Sequence, residues 1–181
     1  MPLRSDHADG LAQIAVPKVM LAPLAGVSDH PFRRMCTNHG ADLTYVEMLS
    51  AKAIVYRNQR TFAMMACHPN ETGKLGIQLT AEDPETMEQA VALVQGRGFA
   101  TVDINMGCPV RKVVATGCGS ALLKSPEKVY RMVQAANRSS DVPVSVKIRL
   151  GWDRQTMNFI EIAYAAQAGG AVWLTVHGRT R

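Results

Sequence analysis

Short apolar runs rich in β-branched residues alternate along the chain with segments of helical period. The runs predict strands at residues 18–23, 42–48, 74–80, 101–106, 142–148 and 171–178. Each run is close to continuously apolar, which is typical of strands covered on both faces. Because helical segments separate the runs, we expect a parallel sheet covered by helices.

The segments between the strands carry signals for helix starts and buried stripes. Asp83-Pro84-Glu85 predicts an N-cap, a first-turn proline and an early acid. The apolar face of that helix would hold Met87, Ala90, Val91 and Val94. Ser125-Pro126-Glu127 predicts a similar helix start, with a stripe of Val129, Met132, Val133 and Ala136. Further helices are predicted from Ser28 or Asp29 to Gly40 and over residues 156–168.

Polar or reactive residues stand at the ends of the predicted strands. They are Pro23, Glu47, Gln78, Asn105, Lys147 and His177. An open doubly wound sheet gathers such residues at one switch point, whereas a (β/α)8 barrel collects them at the carboxyl ends of all its strands. We therefore expect an α/β fold of the TIM (β/α)8 type. Six strands are predicted where that barrel has eight, so we expect an N-terminal extension, 1–17, and an incomplete barrel, 18–181.

Composition narrows the class of protein. Hydrophobic residues make up 47% and charged residues 19%, which is typical of a globular chain. There is no membrane-length apolar run and no apolar core of a secretory signal, so we expect a cytoplasmic protein without a membrane partner. The net charge of +5 permits a polyanionic partner, although the basic residues form no tract. The four cysteines form no CxxC pair, and we expect neither a disulfide scaffold nor a metal site.

The candidate chemistry lies in DINMGCPVRKVVATGCGSALL, residues 103–123. Cys108 follows a strand and Asn105, and no imidazole stands near it in sequence. A thiol with an ordinary pKa of about 8.5 stays protonated at neutral pH, which suits a general acid. Cys118 is the rival candidate, and its flanking glycines suggest a flexible substrate loop. The glycine pattern matches neither a P-loop nor a dinucleotide fingerprint.

Six segments resemble, in order, the motif set of the tRNA-dihydrouridine synthases. They are APLAGVSDHPFRRM (22–35), IQLTAEDPE (77–85), DINMGCPVRKVV (103–114), GSALL (119–123), VSVKIRLGW (144–152) and LTVHGRTR (174–181). The resemblance runs from about residue 18 to the last residue, and its specificity comes from the order of the six motifs. It implies an FMN-dependent barrel that reduces uridine in tRNA to 5,6-dihydrouridine, with NADPH or less often NADH recharging the flavin.

The resemblance also implies roles for particular residues. Cys108 would protonate C5 of a flipped uridine while hydride reaches C6 from the flavin. The cofactor-binding residues would be Pro23, Leu24 (where the family commonly has methionine), Ala25, Gln78, Asn105, Lys147 and His177. The residues in contact with tRNA would be Arg111, Lys112, Arg149 and Arg179.

In the family, the last two barrel strands carry the FMN phosphate site, and a helical domain after them helps to bind tRNA. Neither has a counterpart in this sequence, so we expect the 181-residue chain alone to bind FMN weakly. Two hypotheses of different classes follow. The first is an FMN-dependent tRNA uridine reductase, and the second is a shortened, catalytically inactive product with at most weak RNA binding. A flavin barrel acting on a free pyrimidine is disfavoured by the basic pair after Cys108.

Overall fold

A computed structural model describes residues 16–181, and most of the predicted N-terminal extension lies outside this range. The strands are β1 (Thr44–Tyr45), β2 (Leu49–Ser50), β3 (Leu75–Thr80), β4 (Thr101–Met106), β5 (Val144–Arg149) and β6 (Trp173–His177). The α-helices are α1 (His30–Asn38), α2 (Ala51–Val55), α3 (Gln59–Met64), α4 (Pro84–Val94), α5 (Arg111–Ala115), α6 (Pro126–Arg138) and α7 (Phe159–Ala168). Two 3-10 helices cover Pro69–Glu71 and Gly119–Lys124. None of the helices within 16–181 combines the length and apolar character needed to cross a membrane.

The sheet is parallel throughout and curls into part of a barrel. Its order is β1-β3-β4-β5-β6, and β2 also pairs with β3. Helix α4 connects β3 to β4, α6 lies between β4 and β5, and α7 connects β5 to β6. This arrangement of repeated βα units confirms the predicted partial TIM-type barrel.

The two faces of the sheet differ sharply in chemistry. The helix-covered outer face carries Leu75, Ile77, Leu79, Val102, Ile104, Met106, Val144, Val146, Ile148, Leu174 and Val176. The inner face carries Gln78, Thr80, Thr101, Asp103, Asn105, Ser145, Lys147, Arg149, Thr175 and His177, with Tyr45, Gly76 and Trp173. The strands therefore alternate between apolar outer residues and mostly polar inner residues, and the near-continuous apolar character expected from the sequence is wrong for most inner positions.

The outer core forms as the sequence predicts. Asp83 accepts a hydrogen bond from the Thr86 N–H at the start of α4, and Ser125 caps α6 in the same way through Lys128. All four residues of each predicted stripe are buried, with exposures of 0–2%. The helices α4, α6 and α7 pack against one another and against the outer face, which accounts for the main hydrophobic cluster.

The first two predicted strands differ from expectation. Residues 18–23 form only an isolated parallel bridge, Met20 to Leu43, because Pro17 and Pro23 on either side supply no N–H. The predicted strand 42–48 is divided into β1 and β2. Tyr45 pairs with Gly76 while Leu49 pairs with Leu79, so one extra residue lies between the two ladders. Such an extra residue bends a strand in the manner of a bulge.

Several short helices were not predicted from the sequence. One of them, a 3-10 helix, lies in the glycine-rich segment after Cys108. Helices α2, α3 and α5 lack a long apolar stripe, so periodicity could not find them. Residues 119–124 form a 3-10 helix in which Gly119, Ser120, Leu122 and Leu123 are buried. The segment around Cys118, predicted as a flexible substrate loop, thus leads directly into a buried helix, and Cys118 itself is 8% exposed.

A buried ion pair joins α1 to the 3-10 helix at Pro69–Glu71. The Nε and Nη2 atoms of Arg33 donate to the two carboxylate oxygens of Glu71 at 2.7 and 2.9 Å, and both side chains are about 5% exposed. Nη1 donates to the Ser28 carbonyl at 2.9 Å. Burial opposes ionisation of Glu71, but the hydrogen bonds from Arg33 and from the His68 N–H outweigh it and lower the pKa of this carboxyl.

Replacement of Arg33 by methionine should destabilise the fold in a pH-dependent way. At neutral pH the loss should be about 3–5 kcal/mol, the usual cost of leaving one charge of a buried pair without its partner. In the parent the lowered pKa means that the pair stabilises the fold above the ordinary carboxyl pKa of 4.5, and that this stability is lost as the pH falls. In the variant the His68 N–H would remain but the Arg33 contacts would be lost, so burial should raise the Glu71 pKa and acidification should restore stability. Urea unfolding at neutral pH and at the ordinary carboxyl pKa measures both effects.

The matched control is Arg131→Met, because Arg131 pairs with Glu127 on an exposed face of α6. Exposed pairs contribute little, and this variant should unfold like the parent at both pH values. Equal losses from the two variants would contradict the role given to the buried pair.

Candidate active site at the carboxyl ends of the strands

Polar side chains of the inner face converge at the carboxyl ends of β3, β4 and β5. Gln78 lies beside Asp103, which lies beside Ser145, while Asn105 lies beside Lys147 one step closer to the strand ends. Parallel pairing in register places these side chains on the same face and at neighbouring heights. The structure thus brings together Gln78, Asn105 and Lys147, which the sequence predicted separately.

One chain of hydrogen bonds connects the interior to the loop that carries Cys108. Ser145 Oγ donates to Asp103 Oδ1 at 2.6 Å, and Gln78 Nε2 donates to Asp103 Oδ2 at 2.7 Å. Asn105 Nδ2 donates to Gln78 Oε1 at 2.9 Å. Asn105 Oδ1 in turn accepts the Cys108 N–H at 2.9 Å and the Gly107 N–H at 3.3 Å. Gln78 is therefore fixed within this chain, and both ends of its amide already have protein partners.

Asp103 is fully enclosed, with 2% of its surface exposed. Burial raises its pKa to about 6, although hydrogen bonds from Ser145 and Gln78 and the charge of Lys147 favour the ionised form. The phenol of Tyr45 lies on the same face, and its pKa is raised by burial and by the Asp103 charge. Asp103 thus titrates near neutrality at the centre of the predicted site.

The Cys108 backbone is held from a second side by the 3-10 helix. The Ser120 N–H and the Ser120 hydroxyl both donate to the Cys108 carbonyl at 3.0 Å. Gly119 has a φ of +59°, and a Cβ placed there would lie 2.7 Å from the Cys108 carbonyl oxygen. Only glycine tolerates both that conformation and that approach. The Cys108 side chain remains half-buried, and within residues 16–181 its thiol makes no hydrogen bond.

Lys147 provides a cation on the inner face without a fixed anionic partner. It is half-buried, and no carboxylate within the described range forms an ion pair with it. Burial lowers its pKa, while the Asp103 charge acts in the opposite direction. His177 is exposed at the end of β6, and its pKa is lowered by desolvation and by the nearby charges of Arg149, Lys147 and Arg179. Both residues lie at strand ends, as predicted.

The segment with Pro23, Leu24 and Ala25 forms an exposed turn held by two neighbours. The Ser28 hydroxyl accepts the Leu24 N–H and donates to the Leu24 carbonyl, each at 3.0 Å. Glu47, in the bend between β1 and β2, accepts the Gly26 N–H at 2.7 Å. Leu24 is 45% exposed, so this edge is free to pack against a planar ring.

The predicted basic residues fall into two groups. Arg111 and Lys112 are exposed at the start of α5, directly after the Cys108 loop. Arg149 instead donates to the Gly107 carbonyl and to the Thr180 carbonyl, both at 2.7 Å, and so braces the Cys108 loop against the segment after β6. Arg179 shares a groove with three further arginines, which are Arg149, Arg154 and Arg181.

Sequence reasoning missed the residues that support the site from behind. Asp103, Ser145 and Tyr45 were counted within apolar runs, although an acid in the middle of a strand was itself a signal of a special interior position. Arg154 and Arg181 were not identified from the sequence, because they join the arginine groove only in the folded chain. Lys124 and Arg181 lie 3.5 and 4.1 Å from the ring of Trp152, on which they stack as cations.

Three potential metal ligands also cluster away from this site. Ligand atoms of His30, His68 and Glu71 lie within 4.8 Å of one another, and the two imidazoles stack with centroids 3.5 Å apart. Both oxygens of Glu71 are already bonded to Arg33, which places a buried cation beside the cluster. We therefore assign no metal to these residues.

Comparison with known proteins agrees with this geometry. The family model described as dihydrouridine synthase (Dus) matches residues 20–181. The chain is 42% identical over 164 residues to tRNA-dihydrouridine synthase B of Pasteurella multocida, covering 91% of this chain and 49% of that relative. It is 41% identical over 163 residues to tRNA-dihydrouridine synthase B of Yersinia pestis, covering 90% of this chain and 50% of that protein. The chain thus spans about half the length of these curated relatives, and across its described barrel it belongs to the dihydrouridine synthase family.

Proposed function

We propose that this chain forms the part of an FMN-dependent oxidoreductase that reduces uridine in tRNA to 5,6-dihydrouridine, with NADPH or NADH as the hydride source. The observation that carries the proposal is the position of Cys108. Its thiol stands at the carboxyl end of β4, half-buried, on a backbone fixed by Asn105 and Ser120. A fixed thiol beside a group of polar, partly buried side chains can deliver a proton to one atom of a bound base.

The residues at the strand ends fit a flavin. Members of the family are flavin-dependent oxidoreductases, and FMN is the form that we propose for this chain. Reduced flavin carries negative charge on its ring, and Lys147 is a half-buried cation free to meet it. The exposed turn at Leu24 offers an apolar edge for the ring. When bound, the flavin would supply hydride.

Side chains of the protein would supply the proton and position the reacting groups. Cys108 would donate its proton to C5 of the uracil ring, on the face opposite the flavin. Asn105 would hold the Cys108 backbone through its carbonyl oxygen, and the second hydrogen of its amide is free to meet a carbonyl of the ring. Partial exposure of Cys108 lets solvent return the proton after each turnover.

The exposed basic residues support a tRNA partner. Arg111 and Lys112 are adjacent to the Cys108 loop, where the backbone flanking a flipped nucleotide would lie. Arg154, Arg179 and Arg181 line the groove beyond β5 and β6. Contacts of this kind bind phosphates without reading sequence. We expect such an enzyme to act in the cytoplasm, where tRNA is modified.

The role of Cys108 predicts a separation of the two half-reactions. In the full-length protein, Cys108→Ala should leave flavin reduction by NADPH intact and slow uridine reduction by about 100-fold or more, the usual scale of general acid catalysis. Cys118→Ala is the matched control, since Cys118 is buried behind the loop and should affect the rate much less. Stopped-flow flavin reduction and dihydrouridine formation measure the two steps. A larger loss from Cys118→Ala would reverse the assignment.

The role of Lys147 predicts a change in the cofactor itself. Lys147→Met keeps the length of the side chain and removes its charge, so it should weaken FMN binding and lower the flavin reduction potential. Fluorescence titration and redox titration give these two quantities. Lys74→Met, an exposed lysine before the amino end of β3, serves as the control. A variant with the parental flavin content and potential would exclude this role.

The basic loop predicts a salt-dependent loss of tRNA affinity. Arg111→Glu and Lys112→Glu should each weaken tRNA binding and reduce the slope of log K against log salt by about 1 per lost phosphate contact. The flavin spectrum should be unchanged. Lys74→Glu makes the same charge change at the opposite end of the barrel and should retain the parental slope. Parental slopes in the loop variants would show that these residues do not contact phosphate.

A further inference from the structure

We infer that Asp103 is a positioning residue for the proposed reaction: its carboxylate sets the direction of the hydrogen-bond chain through Gln78 and Asn105 that holds the Cys108 loop. The inference rests on the proposed function for its catalytic meaning. Asp103 lies too deep to touch a substrate, since it is 2% exposed, and it acts through the two amides above it.

Every hydrogen bond in the chain points the same way. Starting at the loop, the Cys108 N–H donates to Asn105, whose amide donates to Gln78, whose amide donates to Asp103. Asparagine and glutamine amides can each be turned over, exchanging the oxygen with the NH2 group. An ionised carboxylate only accepts hydrogen bonds, so it allows a single orientation of Gln78 and hence of Asn105.

Reversal of the chain would disrupt the Cys108 loop. If Gln78 turned over, its NH2 group would face the NH2 group of Asn105, and Asn105 would have to turn over as well. Its NH2 group would then face the N–H groups of Gly107 and Cys108, where it cannot accept them. The loop would lose both hydrogen bonds that anchor it to β4, at 2.9 and 3.3 Å. A displaced loop moves the thiol away from the base.

Ser145 determines what happens when Asp103 takes up a proton. The groups that face Asp103 are Ser145 and Lys147 from β5, Gln78 from β3 and Tyr45 from β1. A hydroxyl both donates and accepts, so Ser145 can rotate and accept the new O–H of Asp103. The other carboxyl oxygen then continues to accept from Gln78, and the direction of the chain survives. Within residues 16–181, Ser145 and Gln78 are the two side chains that hydrogen-bond Asp103, so loss of the hydroxyl leaves Gln78. Gln78 would then have to turn over to accept the new O–H.

The first experiment compares two substitutions of nearly equal volume in the full-length protein. Asp103→Asn retains an oxygen for Gln78 and turns its NH2 group toward Ser145, so the chain keeps its direction. Asp103→Leu offers Gln78 no acceptor. We expect the kcat for tRNA reduction to be about 10-fold or more higher in Asp103→Asn than in Asp103→Leu, because small displacements of a reacting group cost factors of 10 to 100. Equal kcat values in the two variants would overturn the inference.

The second experiment needs neither flavin nor tRNA and remains informative if Asp103→Leu does not fold. The alkylation rate of Cys108 by iodoacetamide is measured across pH, peptide by peptide, with Cys36 and Cys67 as internal references. Each rate is divided by the parental rate at the same pH. In Ser145→Ala this ratio should change by about 3-fold or more as Asp103 is protonated, because the loop is then released. In Ser145→Ala with Asp103→Asn the ratio should be independent of pH.

A ratio that is flat with pH in Ser145→Ala would overturn the inference, as would pH dependence that persists in the double variant. A merely structural role for Asp103 would shift the unfolding midpoint and leave these ratios unchanged. Absence of tRNA reduction by the unsubstituted protein would instead refute the proposed function, and the alkylation ratios would still decide the role of Asp103.

Discussion

A carboxylate buried on the inner face of the sheet is the acceptor on which the polar interior depends. Asp103 receives hydrogen bonds from both neighbouring strands, through Ser145 and Gln78. Its pKa of about 6 lies above the ordinary 3.8, so the folded state loses stability as the pH rises between these two values. By neutral pH the loss is about 3 kcal/mol, at 1.36 kcal/mol per unit. A group that costs this much stability yet organises its neighbours is typical of a functional site.

The reactive loop is held by two independent supports, and one of them depends on that acceptor. Through Gln78 and Asn105 it fixes the amino side of Cys108, while the 3-10 helix holds the carbonyl side through Ser120. The close approach of Gly119 leaves no room for the loop to slide. The sequence motif around Cys108 is therefore long, because it contains the proposed acid together with Asn105 and Ser120, which hold its backbone.

The packing of the outer face could be predicted from the sequence, whereas the hydrogen bonds between strands on the inner face could not. The buried faces of α4 and α6 were predicted correctly, because helical periodicity and N-caps can be recognised within one segment of the sequence. The polar strand ends Gln78, Asn105 and Lys147 were also found, since each follows its own strand. The chain of bonds among them requires the register between strands, which no single segment specifies. The same reason explains why the sequence did not show that Arg149, predicted as a tRNA contact, also binds carbonyls on two other segments.

The apolar outer face explains how that register is fixed. Val102 pairs with Val144 and Ile104 with Val146, and all four are at most 1% exposed beneath the helices. A slip of one residue in β4 would turn Asp103 toward the helices and Ile104 toward the interior, because side chains alternate along a strand. An unpaired carboxylate among apolar helix side chains is strongly unfavourable, so the core excludes that register. The packing that drives folding thereby places Asp103 between Gln78 and Ser145, and the position of Cys108 follows from the same hydrophobic contacts that close the outer layer.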